Sequence, residues 1–120
     1  MNGISFVADT NFLINVHEGL PETKPFLDGT AVVSVISEIE LLGWHKLTAS
    51  DKRKLRYLLN DCIIIDIAPE IKNIAIKIRQ QRAVKTPDAI IAATSMFLQL
   101  PLVTSDKGFK KINDIEIILI

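Results

Sequence analysis

The 120-residue sequence predicts an α/β fold on a mostly parallel sheet, and three observations carry that reading. Short β-branched runs alternate with helical stretches from one end of the chain to the other, the order that crossovers between parallel strands generate. The runs are apolar at successive positions rather than every second one, as in strands covered on both faces. Two of them lead into an aspartate, Asp9 and Asp106, at the place where an open α/β sheet presents its ligand crevice.

The strands are predicted at residues 4–8, 31–35, 62–67, 102–104 and 116–119. Residues 35–44 form a largely apolar helix that carries Glu38 and Glu40. A cap at Ser50 starts the next helix, on which Leu55, Leu58 and Leu59 share one face. Lys52, Arg53, Lys54 and Arg56 surround that stripe as a solvated basic face or a nucleic-acid contact. Ile71, Ile74, Ala75 and Ile78 fall at the spacing of another buried helical face. Thr86-Pro87-Asp88 reads as a helix start, with Thr86 as cap and Pro87 as the first helical residue. The run from Ala89 to Met96 is apolar and small-sided nearly all round, which predicts the most buried helix of the fold. The stretch from Gly19 to Pro25 is the most loop-like and is a candidate flap.

Length and composition fit this scheme. A chain of this size forms one core, and nothing resembling a linker or repeat divides it, so residues 1–120 are expected to be a single domain. No apolar stretch reaches the length of a membrane helix, and no basic segment precedes an apolar secretory core. The expected location is the cytoplasm. Cys62 has no intrachain partner and reads as a small buried hydrophobe. The formal net charge is zero, from 14 bases and 14 acids. If four acids share one pocket, 14 bases face ten acids elsewhere, a mildly basic surface suited to a polyanion.

The four acids are Asp9, Glu40, Asp88 and Asp106. Asp9 and Asp106 each sit where a helix N-cap belongs, and Asp88 complements a helix dipole. Glu40 has no such explanation: it lies among Ile39, Leu41 and Leu42, where an unpaired carboxylate is costly. Glu38 is its rival, and periodicity does not choose between them, because the two project to nearly opposite sides of the helix. The α/β pattern brings the strand-end positions to one rim. Carboxylates gathered there need a compensating cation, which points to a hard divalent metal and phosphate chemistry. Asn11 and Thr104 add neutral oxygens that can orient ligands or waters.

Four motifs then become recognisable: Val7-Ala8-Asp9-Thr10-Asn11, Ser37-Glu38-Ile39-Glu40-Leu41-Leu42-Gly43, Pro87-Asp88-Ala89-Ile90-Ile91-Ala92-Ala93-Thr94 and Val103-Thr104-Ser105-Asp106-Lys107-Gly108-Phe109. In order and spacing they resemble the PIN-domain family, and most closely the VapC-like ribonuclease toxins of type II toxin–antitoxin pairs. The resemblance implies a three-layer sandwich with a five-stranded parallel sheet. It implies Mg²⁺ or Mn²⁺ held by Asp9, Glu40, Asp88 and Asp106, with Asn11 and Thr104 in support, and its Glu-Leu-Leu-Gly context selects Glu40 over Glu38. It further implies hydrolysis of RNA to a 5′-phosphate and a 3′-hydroxyl, a protein antitoxin as partner, and a homodimer through the helix bearing Ile39, Leu42 and Trp44.

Two rivals share the α/β pattern. A receiver-like signalling module wants adjacent acids after the first strand, where this chain has Thr10 and Asn11, although Asp66 near a strand end could stand for its phospho-acceptor. A PIN fold kept as a binding module would recruit RNA or a partner without cutting. His17 and His45 fall outside the acidic motifs and are expected to have no catalytic role. Trp44 and Phe109 could stack on bases, but aromatics beside apolar helices belong more often to core or interface. Arg53, Arg79, Arg82 and Lys111 are candidates for RNA contact.

Overall fold

A computed structural model describes residues 3–120. Its sheet has five parallel strands in the order β3-β2-β1-β4-β5. They are β1 (Ser5–Ala8), β2 (Thr30–Ser34), β3 (Ile63–Ile65), β4 (Leu102–Thr104) and β5 (Ile117–Leu119). Five helices connect them: α1 (Thr10–His17), α2 (Val35–Leu42), α3 (Ala49–Asn60), α4 (Pro69–Gln81) and α5 (Thr86–Leu98). The order reverses between β1 and β4, so the crevice of the sheet opens there, above Asp9 and beside Asp106. A receiver-like module would carry the order 2-1-3-4-5 instead. Asp66, its stand-in phospho-acceptor, follows the edge strand β3, two strands from β1.

The strands alternate between two cores, which makes the three layers. Val7, Val32 and Leu102 point into one core with Ile71, Ala75 and Ile78 of α4 and the buried face of α5. Phe6, Ala8, Val33 and Val103 point into the other with Phe12 and Leu13 of α1, Leu41 of α2, and Leu55 and Leu59 of α3. Every buried side chain of the central strands therefore removes apolar surface from water, about 25 cal/mol per Å². The α4 stripe is as its spacing predicts, with Ile71, Ala75 and Ile78 buried and Ile74 partly so.

Helix starts follow from local chemistry, with two shifts from expectation. The α3 cap is Thr48 rather than Ser50: its Oγ1 accepts the Asp51 amide at 3.0 Å and donates to Asp51 Oδ2 at 2.9 Å. This reciprocal arrangement satisfies an orphan amide, which a serine two residues inside the helix does not do. For α5 the cap position is Lys85, and Thr86 already belongs to the first turn, where Pro87 follows without cost because its missing amide has no partner there anyway. Among the described residues, no helix is long and apolar enough to cross a membrane.

The candidate flap is no loop. Residues Pro21–Phe26 form a 3-10 helix in which buried Thr23 donates to the Leu20 carbonyl at 2.7 Å. Phe26 packs edge-on against Phe6 and Phe12, at centroid distances of 5.6 and 5.9 Å. These contacts pin the segment to the α1 side of the sheet.

Candidate functional site

The acids come together because four separate elements end at one rim. β1 delivers Asp9, the turn after β4 delivers Asp106, the first turn of α5 delivers Asp88, and the last turn of α2 delivers Glu40. All four line one cavity of ≈ 260 Å³, with Thr10, Asn11, Lys85, Pro87 and Ile91 completing the wall. Glu38 does not reach it.

Asp9 is almost fully buried, at 2% exposure. Its Oδ1 accepts the Phe12 amide at 2.7 Å, the N-cap bond of α1, and its Oδ2 accepts the Thr104 hydroxyl. Thr104 in turn accepts the Asp106 amide at 2.9 Å, so one buried hydroxyl ties the two strand-end acids together. Asp106 Oδ1 accepts the Gly108 amide at 2.8 Å, capping the short 3-10 helix Lys107–Lys111. The capping role and the convergence are thus not alternatives, since both aspartates cap and both face the cavity.

Burial governs the electrostatics. It lifts the Asp9 carboxyl to about 6, against the pull of the Thr104 and Phe12 hydrogen bonds, and the charges of Asp106 and Asp88 push the same way. Asp88 is also raised, first by burial and then by Asp106 and Glu40, while Lys85 opposes the shift. The acids therefore sense one another across the cavity. Among the described residues, though, no three His, Cys, Asp or Glu side chains form a group that could enclose an ion by themselves. The donors are all carboxylate and neutral oxygen, the set that suits a hard cation, and Mg²⁺ in particular is commonly held by one or two carboxylates with water in its remaining positions.

Glu40 departs from expectation. It is exposed rather than buried, so no desolvation cost attends it, and Thr10 Oγ1 lies 2.6 Å from its Oε1. Phe109 is 3% exposed and belongs to the core, out of reach of any base. Trp44 is 54% exposed and lines a neighbouring groove of ≈ 570 Å³ with Ile14, Leu41, Leu47 and Leu55. His17 lies in that groove, its Nε2 3.2 Å from Asp51 Oδ1, and not in the acidic cavity. Two of the candidate basic residues are engaged locally: Arg79 Nε donates to the Val84 carbonyl at 3.2 Å and Arg82 Nε to the Lys111 carbonyl at 2.6 Å. Cys62 is only partly buried, its thiol pushed up to about 11 by burial and by Asp61, and so it is an inert thiol.

Three residues of the site escaped the sequence reading. Thr10 and Ser37 meet at 2.9 Å across 27 residues, a contact created by the pairing of β1 with β2 and invisible to local pattern. Lys85 did leave a signal: a lysine at the cap of the helix whose first turn holds Asp88 must share its end.

Similarity to known proteins bears on the family and the fold. The family model of the PIN domain matches residues 6–115. A toxin–antitoxin complex from Klebsiella pneumoniae contains a chain 30% identical to this one, covering 94% of this chain and 95% of its own, with a TM-score of 0.80. VapBC2 from Rickettsia felis, bound to a DNA fragment from its promoter, is 20% identical over 96% and 98% of the two chains, with a TM-score of 0.83. VapBC-5 from Mycobacterium tuberculosis is 21% identical over 97% and 98%, with a TM-score of 0.74. The last two similarities speak to fold alone. No curated protein sequence matches.

Proposed function

The chain belongs to the PIN-domain family, and from that premise we propose that it is a divalent-metal-dependent endoribonuclease, the toxin of a type II toxin–antitoxin pair. Residues 1–120 act as one nuclease domain, in the cytoplasm. The observation that supports this most is the meeting of Asp9, Glu40, Asp88 and Asp106, from four separate elements, around one cavity at the switch point of the sheet.

Asp9 and Asp88 are the residues that would hold Mg²⁺ or Mn²⁺. Burial and neighbouring charge disfavour the ionised forms of both, a penalty that a bound cation would offset. Glu40 and Asp106 would support the bound cation or orient the attacking water and take up its proton. When bound, the cation acidifies water for in-line attack on the phosphodiester and offsets charge on the transition state. Thr104 fixes the Asp9 carboxylate, and Asn11 presents an amide at the cavity wall. Lys85, among the described residues the one cation lining the cavity, meets the phosphate that the carboxylates would otherwise repel. Hydrolysis leaves a 5′-phosphate and a 3′-hydroxyl. Attack by water makes no use of the ribose 2′-hydroxyl, so preference for RNA is a matter of shape and surface contact.

A protein antitoxin is the expected partner, as in the Klebsiella pneumoniae complex. Ile39 and Trp44, at 59% and 54% exposure, are apolar surface available to a second copy of the chain. The deciding experiment incubates purified protein with RNA and Mg²⁺ or Mn²⁺, beside EDTA and Asp9→Asn controls. Cleavage lost in both controls supports the nuclease. Stable RNA binding with neither cleavage nor calorimetric metal binding would make this a PIN fold that recruits without cutting.

A further inference from the structure

Glu40 differs from Asp9 and Asp106 in how it is held. Asp9 and Asp106 each accept a backbone amide within their own cap, which fixes them as soon as the local chain folds. Glu40 has a longer side chain, is exposed, and sits in the last turn of α2, where the helix dipole disfavours negative charge. Left to its own helix it would extend into solvent. We propose that Thr10 is the positioning residue that aims Glu40 into the acidic cavity, backed by the Ser37 hydroxyl; the role of Glu40 itself rests on the nuclease reading above.

Thr10 Oγ1 lies 2.6 Å from Glu40 Oε1 and 2.9 Å from Ser37 Oγ. A hydroxyl has one proton to give, and the carboxylate is the stronger acceptor, so Thr10 donates to Glu40 and is free to accept from Ser37. Ser37 is completely buried, three residues before Glu40 on the same face of α2. Its hydroxyl is therefore screened from water and finds its partner in Thr10. The relay from Ser37 through Thr10 to Glu40 joins α2 to the first turn of α1. Because Thr10 directly follows Asp9, the same relay registers Glu40 against the most buried acid of the cavity. Supporting hydrogen bonds of this kind typically change metal affinity or turnover by about 10–100-fold when removed.

Thr10→Val keeps the shape and deletes the hydroxyl, and Thr10→Ser keeps the hydroxyl and deletes the methyl. Mn²⁺ binding to the RNA-free protein is read by calorimetry, and kcat and KM on RNA separately. Thr10→Val is expected to lower Mn²⁺ affinity and kcat by about tenfold with little change in KM, and Thr10→Ser to restore both. Glu40→Gln added to Thr10→Val should cost much less than Glu40→Gln alone, since the two residues act as a unit. If Thr10→Val does not fold, Ser37→Ala withdraws the backing donor and should give the same pattern at smaller amplitude. Thr10→Val at wild-type levels, or Thr10→Ser as weak as Thr10→Val, overturns the positioning role while the nuclease reading stands. A wild-type protein that neither binds Mn²⁺ nor cuts RNA overturns both.

Discussion

Asp9 and Asp51 invite comparison because each belongs to a helix start and the carboxylate of each takes part in two hydrogen bonds, yet their ionisation is pushed in opposite directions. Asp51, at the mouth of the apolar groove, is held below the usual carboxylate range by Thr48 and then by His17, with water at hand. Asp9, in the acidic cavity one wall away, is raised to about 6 despite the bonds from Thr104 and Phe12. The first cause of the difference is burial, and like charge adds to it in the cavity alone. Glu40 and Thr10 line both spaces and form the wall between them. The larger space is fitted to recognition by apolar contact, and the smaller, crowded one to chemistry. Size alone points to the apolar groove, and not to the cavity of the proposed nuclease.

The sharpest way to break the comparison is to remove the charge. Asp9→Asn and Asp88→Asn should each reduce RNA cleavage by at least about a hundredfold, because each removes a proposed direct metal ligand. In the absence of metal, both proteins should melt at or above the wild-type temperature, since crowded negative charge has been relieved. Cleavage assays beside thermal unfolding would check this. Marked unfolding of both variants would return the acids to a capping role only.

A second measurement varies pH instead of sequence. The Asp9 carboxyl has a folded value of about 6 against 3.8 in a free side chain, so between those values the folded state holds the extra proton. Stability of the metal-free protein should therefore fall as pH rises from about 4 to 6, by up to about 3 kcal/mol, and stay low above that window. Denaturant unfolding at several pH values reads the slope. Asp9→Asn should flatten it, and Mn²⁺ should oppose it at neutral pH by favouring the ionised form.

Much of this was legible in the chain. The strands were readable because their apolar runs are short and bounded, and α4 and α5 because their stripes are regular. Asp9 and Asp106 were readable because a strand end fixes where its next residue stands. Glu40 was not, since a helix allows either Glu38 or Glu40 to face the sheet and only motif context chose between them. The residues that hold Glu40 were less legible still: Thr10 and Ser37 are joined by parallel pairing of strands, which no local pattern encodes. The 3-10 helix at Pro21–Phe26 was hidden for a related reason, because its order comes from Phe26 meeting Phe6 and Phe12 rather than from its own residues.

Lys85 offers a milder perturbation. It lines the cavity wall and opposes the upward shift of Asp88, and among the described residues it has no ion-pair partner. Lys85→Met should raise KM for RNA several-fold and reduce the slope of log(kcat/KM) against log[salt] by about 0.7, one phosphate contact on a single strand. Mn²⁺ affinity should move the other way and tighten, because a repelling cation has left. Weaker metal binding would mean that Lys85 organises the carboxylates rather than the substrate.

The smallest effect tests the boundary of the cavity. Glu38 and Glu40 are two residues apart in α2, equally charged, and indistinguishable to periodicity, but they sit in opposite electrostatic settings. Glu38 occupies the first turn of the helix, where the dipole welcomes its charge, and it does not line the cavity. Glu38→Gln should therefore lower stability by about 0.5 kcal/mol and leave cleavage untouched. Glu40 occupies the last turn, where the dipole opposes its charge and, among the described residues, the Thr10 hydroxyl alone holds it. Glu40→Gln should leave stability unchanged or slightly higher and impair cleavage. The pair thus separates an acid placed for the helix from one placed against it. Equal loss of cleavage in the two variants would show that α2 contributes overall negative potential to the rim, and not one aimed carboxylate.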